Sequence, residues 1–155
     1  MSKITKEQIM LSPVRIITLN EPYASLMAFY GKQETRNRDT KVRGLVCIHS
    51  AQKPYGAKDV LEISGQSQYD RIQLSKMNYL NEGKIISIGY LTGTKFMGDY
   101  PYERDLIENR CFVKYSPNLW IWEFEDMTAI EPIPFKGSQG WSILTDEQKA
   151  LINPL

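Results

Sequence analysis

The sequence predicts an α+β domain built around a small barrel or a strongly bent sheet. Five or six strand-like segments are joined by a few helical ones, without the regular alternation of a βαβ chain. At 155 residues, with no repeat, linker or low-complexity tract, the chain is expected to be one domain over 1–155. A hydrophobic share of 42% and a charged share of 24% allow one sizeable core without disulfide or metal support.

The first strand is expected at 14–19 (VRIITL), rich in β-branched residues. Asn20 then stands where a helix N-cap belongs, and Pro22 falls in the first turn, where a missing N–H costs little. Tyr23, Leu26, Met27 and Tyr30 follow on one helical face, and Gly31 supplies the stop. A basic loop leads into a second strand at 44–49 (GLVCIH). Residues 57–64 and 66–80 are expected to be helical, the latter with a partial stripe of Tyr69, Ile72 and Leu80. A buried strand is expected at 84–91 (KIISIGYL). Gly93, Gly98, Pro101 and many acids predict mostly loop over 93–109, with a short helix near 102–108. Strands are expected at 110–115 (RCFVKY) and 119–125 (LWIWEFE), and Pro132 and Pro134 bracket an extended edge segment. Gly137 and Gly140 mark a turn before Trp141, and Thr145 with Gln148 forms a capping box for a last short helix.

Net charge is only +1, but the charge is uneven. Between Lys32 and Lys58 there are seven basic residues against two acids, and between Asp99 and Glu131 eight acids against three bases. Such local fields steer an anion more than net charge does. Two cysteines, Cys47 and Cys111, sit in apolar runs and read as reduced core thiols of a cytoplasmic protein. No apolar run approaches the roughly 20 residues that span a bilayer. With one histidine and two separated cysteines, neither a metal site nor a cofactor is expected.

Arg36, Arg38, Lys41 and Arg43 are the candidate anion binders, because guanidinium forks match phosphate oxygens. Against this stands a solvated charged loop with no partner. Lys32 and Glu34 are either a catalytic or substrate-polarising pair or a surface ion pair. Glu34 also suits a structural role, pairing with Arg36 or Arg43. Tyr23 and Ser25, at the helix start, offer a stacking ring and free N–H groups, or simply a core contact. His49 is the only imidazole available for acid/base work, with a satisfied structural histidine as the competing reading. Ser50 has no base and orienting group around it for a nucleophilic triad. Trp120, Trp122 and Trp141 read as core or barrel-closing residues. Lys136, Gly137, Gln139 and Gly140 form a turn where backbone approaches a ligand or merely reverses direction.

The strings NEPYASL, GKQETR, TKVRGLVCIHSAQKP and LWIWEFEDMTAIEPIPFKGSQGW, in that order from about Ile17 to Trp141, resemble the ASCH domain of the PUA-like superfamily. That resemblance implies a PUA-like β-barrel with flanking helices and a helix-lined cleft that binds or processes nucleic acid, chiefly RNA. Some relatives are ribonucleases, and some bacterial ones are small amidohydrolases that deacylate N4-acetylcytidine. Lys32, Glu34 and Arg36 match the Lys, Glu and Arg of the G-x-K-x-x-E-x-R signature, Arg43 and Gly44 its turn, and His49 and Ser50 the end of its strand. The spacing from Gly31 and Lys32 to Glu34 is shorter than the family's, and Arg38 replaces a common aromatic residue. The hydrolytic relatives pair their Lys with a Thr where this chain has Glu34, and Thr35 next door is expected to point elsewhere on an extended segment.

Three readings follow. The first is an RNA or nucleotide binder with a basic cleft between the first helix and the 34–44 loop. There Arg38 and Lys41 hold phosphate, Arg36 and Arg43 shape the pocket, and Glu34 reads a base edge. The second is a hydrolase of RNA or of a modified nucleoside that works through Lys32 and Glu34. The third is a protein-interaction module that uses the acidic face; under the first reading the acidic stretch from Asp99 to Glu108, which repels RNA, should lie away from the cleft.

Overall fold

The structure, a computed structural model, describes residues 4–52, 81–137 and 140–155. The helices expected at 57–64 and 66–80, and Gln139 of the expected turn, lie outside the described residues. The chain runs α1 (Lys6–Leu11), β1 (Val14–Leu19), α2 (Tyr23–Tyr30), β2 (Glu34–Arg36), β3 (Gly44–Ser50) and β4 (Lys84–Phe96). A 3-10 turn (Met97–Asp99), α3 (Arg104–Cys111), β5 (Trp120–Pro134), β6 (Ser142–Ile143) and α4 (Asp146–Ala150) follow.

The six strands form one mixed sheet in the order β2-β5-β4-β3-β1-β6. β1 and β3 are parallel, in a register that sets Thr18 opposite His49, and the other pairs are antiparallel. Register shifts along β4 and β5 bend the sheet into a half-barrel. The two edge strands, β2 with three residues and β6 with two, pair only with β5 and β1. Among the described residues no pairing closes the sheet into a barrel.

β1, β3 and β4 read as nearly continuous apolar runs because both faces of the sheet are covered. Val14, Ile16, Leu45 and Cys47 pack with Ile9 of α1 and Ile152 just past α4. Ile17, Leu19, Val46 and Ile48 pack on the opposite face with Ala24 and Met27 of α2 and with Trp122. A smaller cluster of Met97, Ile107, Cys111 and Ile121 seats α3.

Several boundaries differ from expectation. α2 begins at Tyr23 after Pro22, and Asn20 contributes its carbonyl, not its side chain, accepting from the Ala24 N–H at 3.2 Å. The Glu21 carboxylate takes the capping role instead, accepting from the Ser25 N–H at 2.9 Å and from the Ser25 hydroxyl. The strand expected at 110–115 is the end of α3 followed by loop. The helix stops at Phe112 (φ 56), whose N–H donates to the Glu108 carbonyl, and Cys111 and Phe112 are apolar because that helix end is buried. The loop expected from 93 is strand as far as Phe96, since β5 is long enough to pair with it. α1 was not expected, although its capping box, Thr5 with Gln8, has the same T-x-x-Q spacing as the Thr145 box of α4. Among the described residues no helix is long and apolar enough to cross a membrane.

Candidate functional site

The short stretch from Lys32 to Arg38 is where buried charge meets open space. β2 hangs on β5 by the pairs Glu34↔Trp122 and Arg36↔Trp120. Lys32 is 2% exposed and Glu34 4% exposed, with Lys32 Nζ 3.5 Å from Glu34 Oε1. Buried charges are stable only when their hydrogen bonds are made. Here Lys32 Nζ also donates to the Gln33 carbonyl at 2.8 Å and lies 5.7 Å from the Tyr23 ring centroid. Glu34 accepts from the Thr35 N–H and from Arg36 Nε, both at 2.9 Å. The Arg36 guanidinium lies 5.6 Å from the Trp122 ring centroid. Among the described residues its two terminal nitrogens carry no hydrogen bond.

A cavity of about 650 Å³ opens beside this stretch, within the range of small-molecule sites. Arg36, Arg38 and Lys136 bring three cations to it, and the described residues that line it include no carboxylate. Trp122 and Trp141 form an aromatic wall, with ring centroids 5.6 Å apart and planes 8° from parallel. The Trp122 indole N–H donates to the Arg38 carbonyl at 3.0 Å, which pins the loop to β5. A second cavity of about 310 Å³, lined by Tyr23, Lys32, Glu34 and Thr35 among others, shares Thr18, Asn20 and Arg36 with the first.

His49 sits at the floor of the larger cavity, 2% exposed. Its Nε2–H donates to the Phe135 carbonyl at 2.8 Å, and its Nδ1 faces Thr18 Oγ1 at 3.0 Å. Burial lowers its pKa below the ordinary value, and carbonyl contacts from Phe135 and Gly83 oppose that shift. Both ring nitrogens thus have partners, and burial favours the neutral ring. Gly137 passes so close that a Cβ there would lie 2.5 Å from His49 Nδ1 and 2.6 Å from Thr18 Oγ1.

The other sequence candidates distribute differently. Arg38 and Lys136 are exposed at the larger cavity. Arg43 lines neither cavity and donates through Nη1 to the carbonyls of Thr40 at 2.9 Å and Val42 at 2.7 Å. Lys41 lines neither and lies near Asp39, whose carboxyl is held below its usual range first by the Thr94 hydroxyl, then by the Thr40 N–H, Arg43 and Lys41. The roles expected of Arg43 in shaping the pocket and of Lys41 in holding phosphate are thus not supported by this geometry. Ser25 is buried against Glu21, whose pKa is raised by burial against the opposing bonds from Ser25 and the nearby Ser50 hydroxyl. Ser50 is buried at 0% exposure and faces Glu21 without a full hydrogen bond of its own. Cys47 and Cys111 are inert buried thiols, pushed up to about 12 and about 11. Among the described residues no cluster of three or more His, Cys, Asp or Glu could hold a metal ion. None of the acids between Asp99 and Glu131 lines either cavity.

Sequence reasoning missed Thr18 and Asn20, and it assigned Trp122 and Trp141 to the core alone. Trp122 is buried as expected, yet its edge also walls the cavity. The GSQGW turn carried the available signal, since two glycines beside a tryptophan mark close backbone approach to a flat surface.

The half-barrel with its helices is an ASCH-like α+β fold. The crystal structure of ASCH from Zymomonas mobilis matches 90% of this chain and 96% of its own, at 14% identity and a TM-score of 0.59. Serine-to-alanine and tyrosine-to-phenylalanine mutant structures of that protein match at 14% identity and a TM-score of 0.57, each over 90% of this chain and over 96% and 99% of their own. No family model and no curated protein matches the sequence.

Proposed function

We propose that this protein binds RNA by taking one nucleotide into the larger cavity. The observation that carries the reading is the meeting of Arg36, Arg38 and Lys136 with a Trp122–Trp141 wall and no described carboxylate. Phosphate takes Arg38 and Lys136, Arg36 faces the base, and the base stacks on the aromatic wall. The cleft lies over β1 and β3, between the Arg36–Arg38 loop and the turn at Lys136. The ASCH-like fold and the sequence resemblance to that family support the same partner class.

The test is a gel-shift series with single-stranded RNA and DNA at low and moderate salt. Retention that falls with salt, and falls further in Arg38→Glu/Lys136→Glu at unchanged fold, supports the reading. No retention at low salt overturns it.

One observation favours a second reading. The Lys32–Glu34 pair is buried and faces the smaller cavity, which joins the nucleotide cleft at Arg36. In this reading the fixed ammonium polarises a phosphate or acyl oxygen of a bound RNA or modified nucleoside, and the protein is a hydrolase. Shortened RNA on a denaturing gel, or acetate released from N4-acetylcytidine, would establish it if Lys32→Ala abolishes turnover and keeps binding. Intact RNA and intact nucleoside after long incubation exclude it.

A further inference from the structure

We propose that Thr18 reads the polar edge of the bound base and that His49 sets the direction of its hydrogen bond. The inference rests on the nucleotide-binding reading and names the residue that gives that site its selectivity.

The argument is one of donors and acceptors. The Phe135 carbonyl, 2.8 Å from His49 Nε2, can only accept, so Nε2 carries the hydrogen. A neutral imidazole then has a lone pair at Nδ1. Thr18 Oγ1, 3.0 Å away, gives its one hydrogen to that lone pair. The ring is kept neutral by its burial. What the Thr18 hydroxyl has left for the cavity is therefore lone pairs alone.

Thr18 lines both cavities, and so does Arg36. The terminal nitrogens of Arg36 are donors only. The wall between the two cavities thus carries a fixed acceptor and fixed donors. A phosphate offers only acceptors, so it satisfies Arg36 and leaves Thr18 unmatched. The edge of a nucleobase offers an N–H beside a ring nitrogen or carbonyl oxygen in one rigid plane, and it matches both. The competing account is that the Thr18–His49 bond merely ties β1 to β3, where the two residues are register partners. In that account removing the hydroxyl changes stability and leaves ligand choice untouched.

The experiment is a titration, followed by tryptophan fluorescence, with the four ribonucleoside monophosphates. Each is compared with a form whose edge N–H is methylated away (N,N-dimethylcytidine, N,N-dimethyladenosine, 1,N2,N2-trimethylguanosine or 3-methyluridine monophosphate) and with its 2′-deoxy form. For the base that binds best, methylation should weaken binding about tenfold or more, the loss of one matched buried bond, and the 2′-deoxy form should stay within about threefold. In Thr18→Val the penalty should shrink to about threefold or less. Valine has the shape of threonine, so a purely steric penalty would persist. Thr18→Ser should keep the discrimination. His49→Phe should lose it and His49→Gln, whose amide carries both an acceptor and a donor, should restore it, which keeps the test open if Thr18→Val does not fold. Equal affinity for methylated and unmethylated forms, a penalty unchanged in Thr18→Val, or a preference lost only on removing the 2′-hydroxyl would overturn the proposal and leave nucleotide binding standing. Failure of every nucleotide to bind would overturn both.

Discussion

Replacing Gly137 with alanine tests whether the turn at Lys136 is packed on the floor of the cleft. The added methyl would sit 2.5 Å from His49 Nδ1, 2.6 Å from His49 Cε1 and 2.6 Å from Thr18 Oγ1. Contacts of this kind settle near 3.5 Å, so each overlap is roughly 1 Å deep. Neither neighbour can withdraw easily. The His49 ring is held at both nitrogens and has the Phe135 ring edge-on at 5.5 Å, and Thr18 is held within the β1–β3 pairing. The turn must rise by about 1 Å or the Thr18–His49 bond must break. Overpacking of this size costs about 1–3 kcal/mol, and an orphaned Nδ1 adds about 1 kcal/mol. We expect Gly137→Ala to lose about 2–4 kcal/mol in urea denaturation, with an unchanged slope, and to weaken nucleotide binding because Lys136 and Trp141 flank the displaced turn. Gly140→Ala is the control. Nothing lies within 4 Å of its added methyl, and only its positive φ of 78° is penalised, at about 1–2 kcal/mol with no clash in the cleft. A Gly137→Ala protein with the wild-type midpoint and wild-type nucleotide affinity would refute the packing argument and the site built on it.

Three other outcomes are expected. Lys6 Nζ donates to the carbonyls of Lys149, Ala150 and Ile152 at the C-terminal end of α4, and Lys149 Nζ donates to those of Met10 and Ser12 at the C-terminal end of α1, so each lysine caps the other's helix. Lys149→Met should cost about 2 kcal/mol in urea melts, and Lys6→Met/Lys149→Met less than the sum of the two single changes, since one junction opens in both. Glu21 binds its proton more tightly when folded, so stability falls as pH rises from the ordinary carboxylate range through the raised folded value. Stability curves against pH should lose that decline in Glu21→Gln. Arg36→Ala should weaken RNA binding about tenfold, whereas Arg43→Ala, whose guanidinium serves its own loop carbonyls, should stay within about twofold in the same titration.

What the sequence made legible was local. VRIITL is strand from Val14 to Leu19 because branched residues suit a sheet covered on both faces, and Gly31 ends α2 with a φ of 73° as a C-terminal glycine should. Thr145 and Gln148 form their capping box because both partners lie within one turn. The errors came where distant partners decide. RCFVKY reads as a short apolar strand, but among the described residues no strand lies beside it, and the tertiary burial of Ile107 and Cys111 keeps 104–111 helical. Lys32, Glu34 and Arg36 were visible as a cluster, and the fold does bring them together. Arg43 looked equivalent to Arg36 in composition. Only the loop path shows that its guanidinium turns back onto Thr40 and Val42. The aromatic wall joins residues from β5 and from the turn before β6, and Thr18 meets His49 across two parallel strands, so no short motif announces either.

The indole of Trp122 holds the carbonyl of Arg38, and the carboxylate of Glu34 holds Arg36, before any ligand arrives. Immobilising a long side chain on binding costs about 0.5–1.5 kcal/mol each, and folding has already met part of that loss here. The consequence is kinetic. For the nucleotide proposed above no loop-ordering step is needed, so its arrival rate should be governed by charge and ionic strength, and its residence time by how well its base fits the wall. Related ligands should therefore share an association rate and differ in how long they stay.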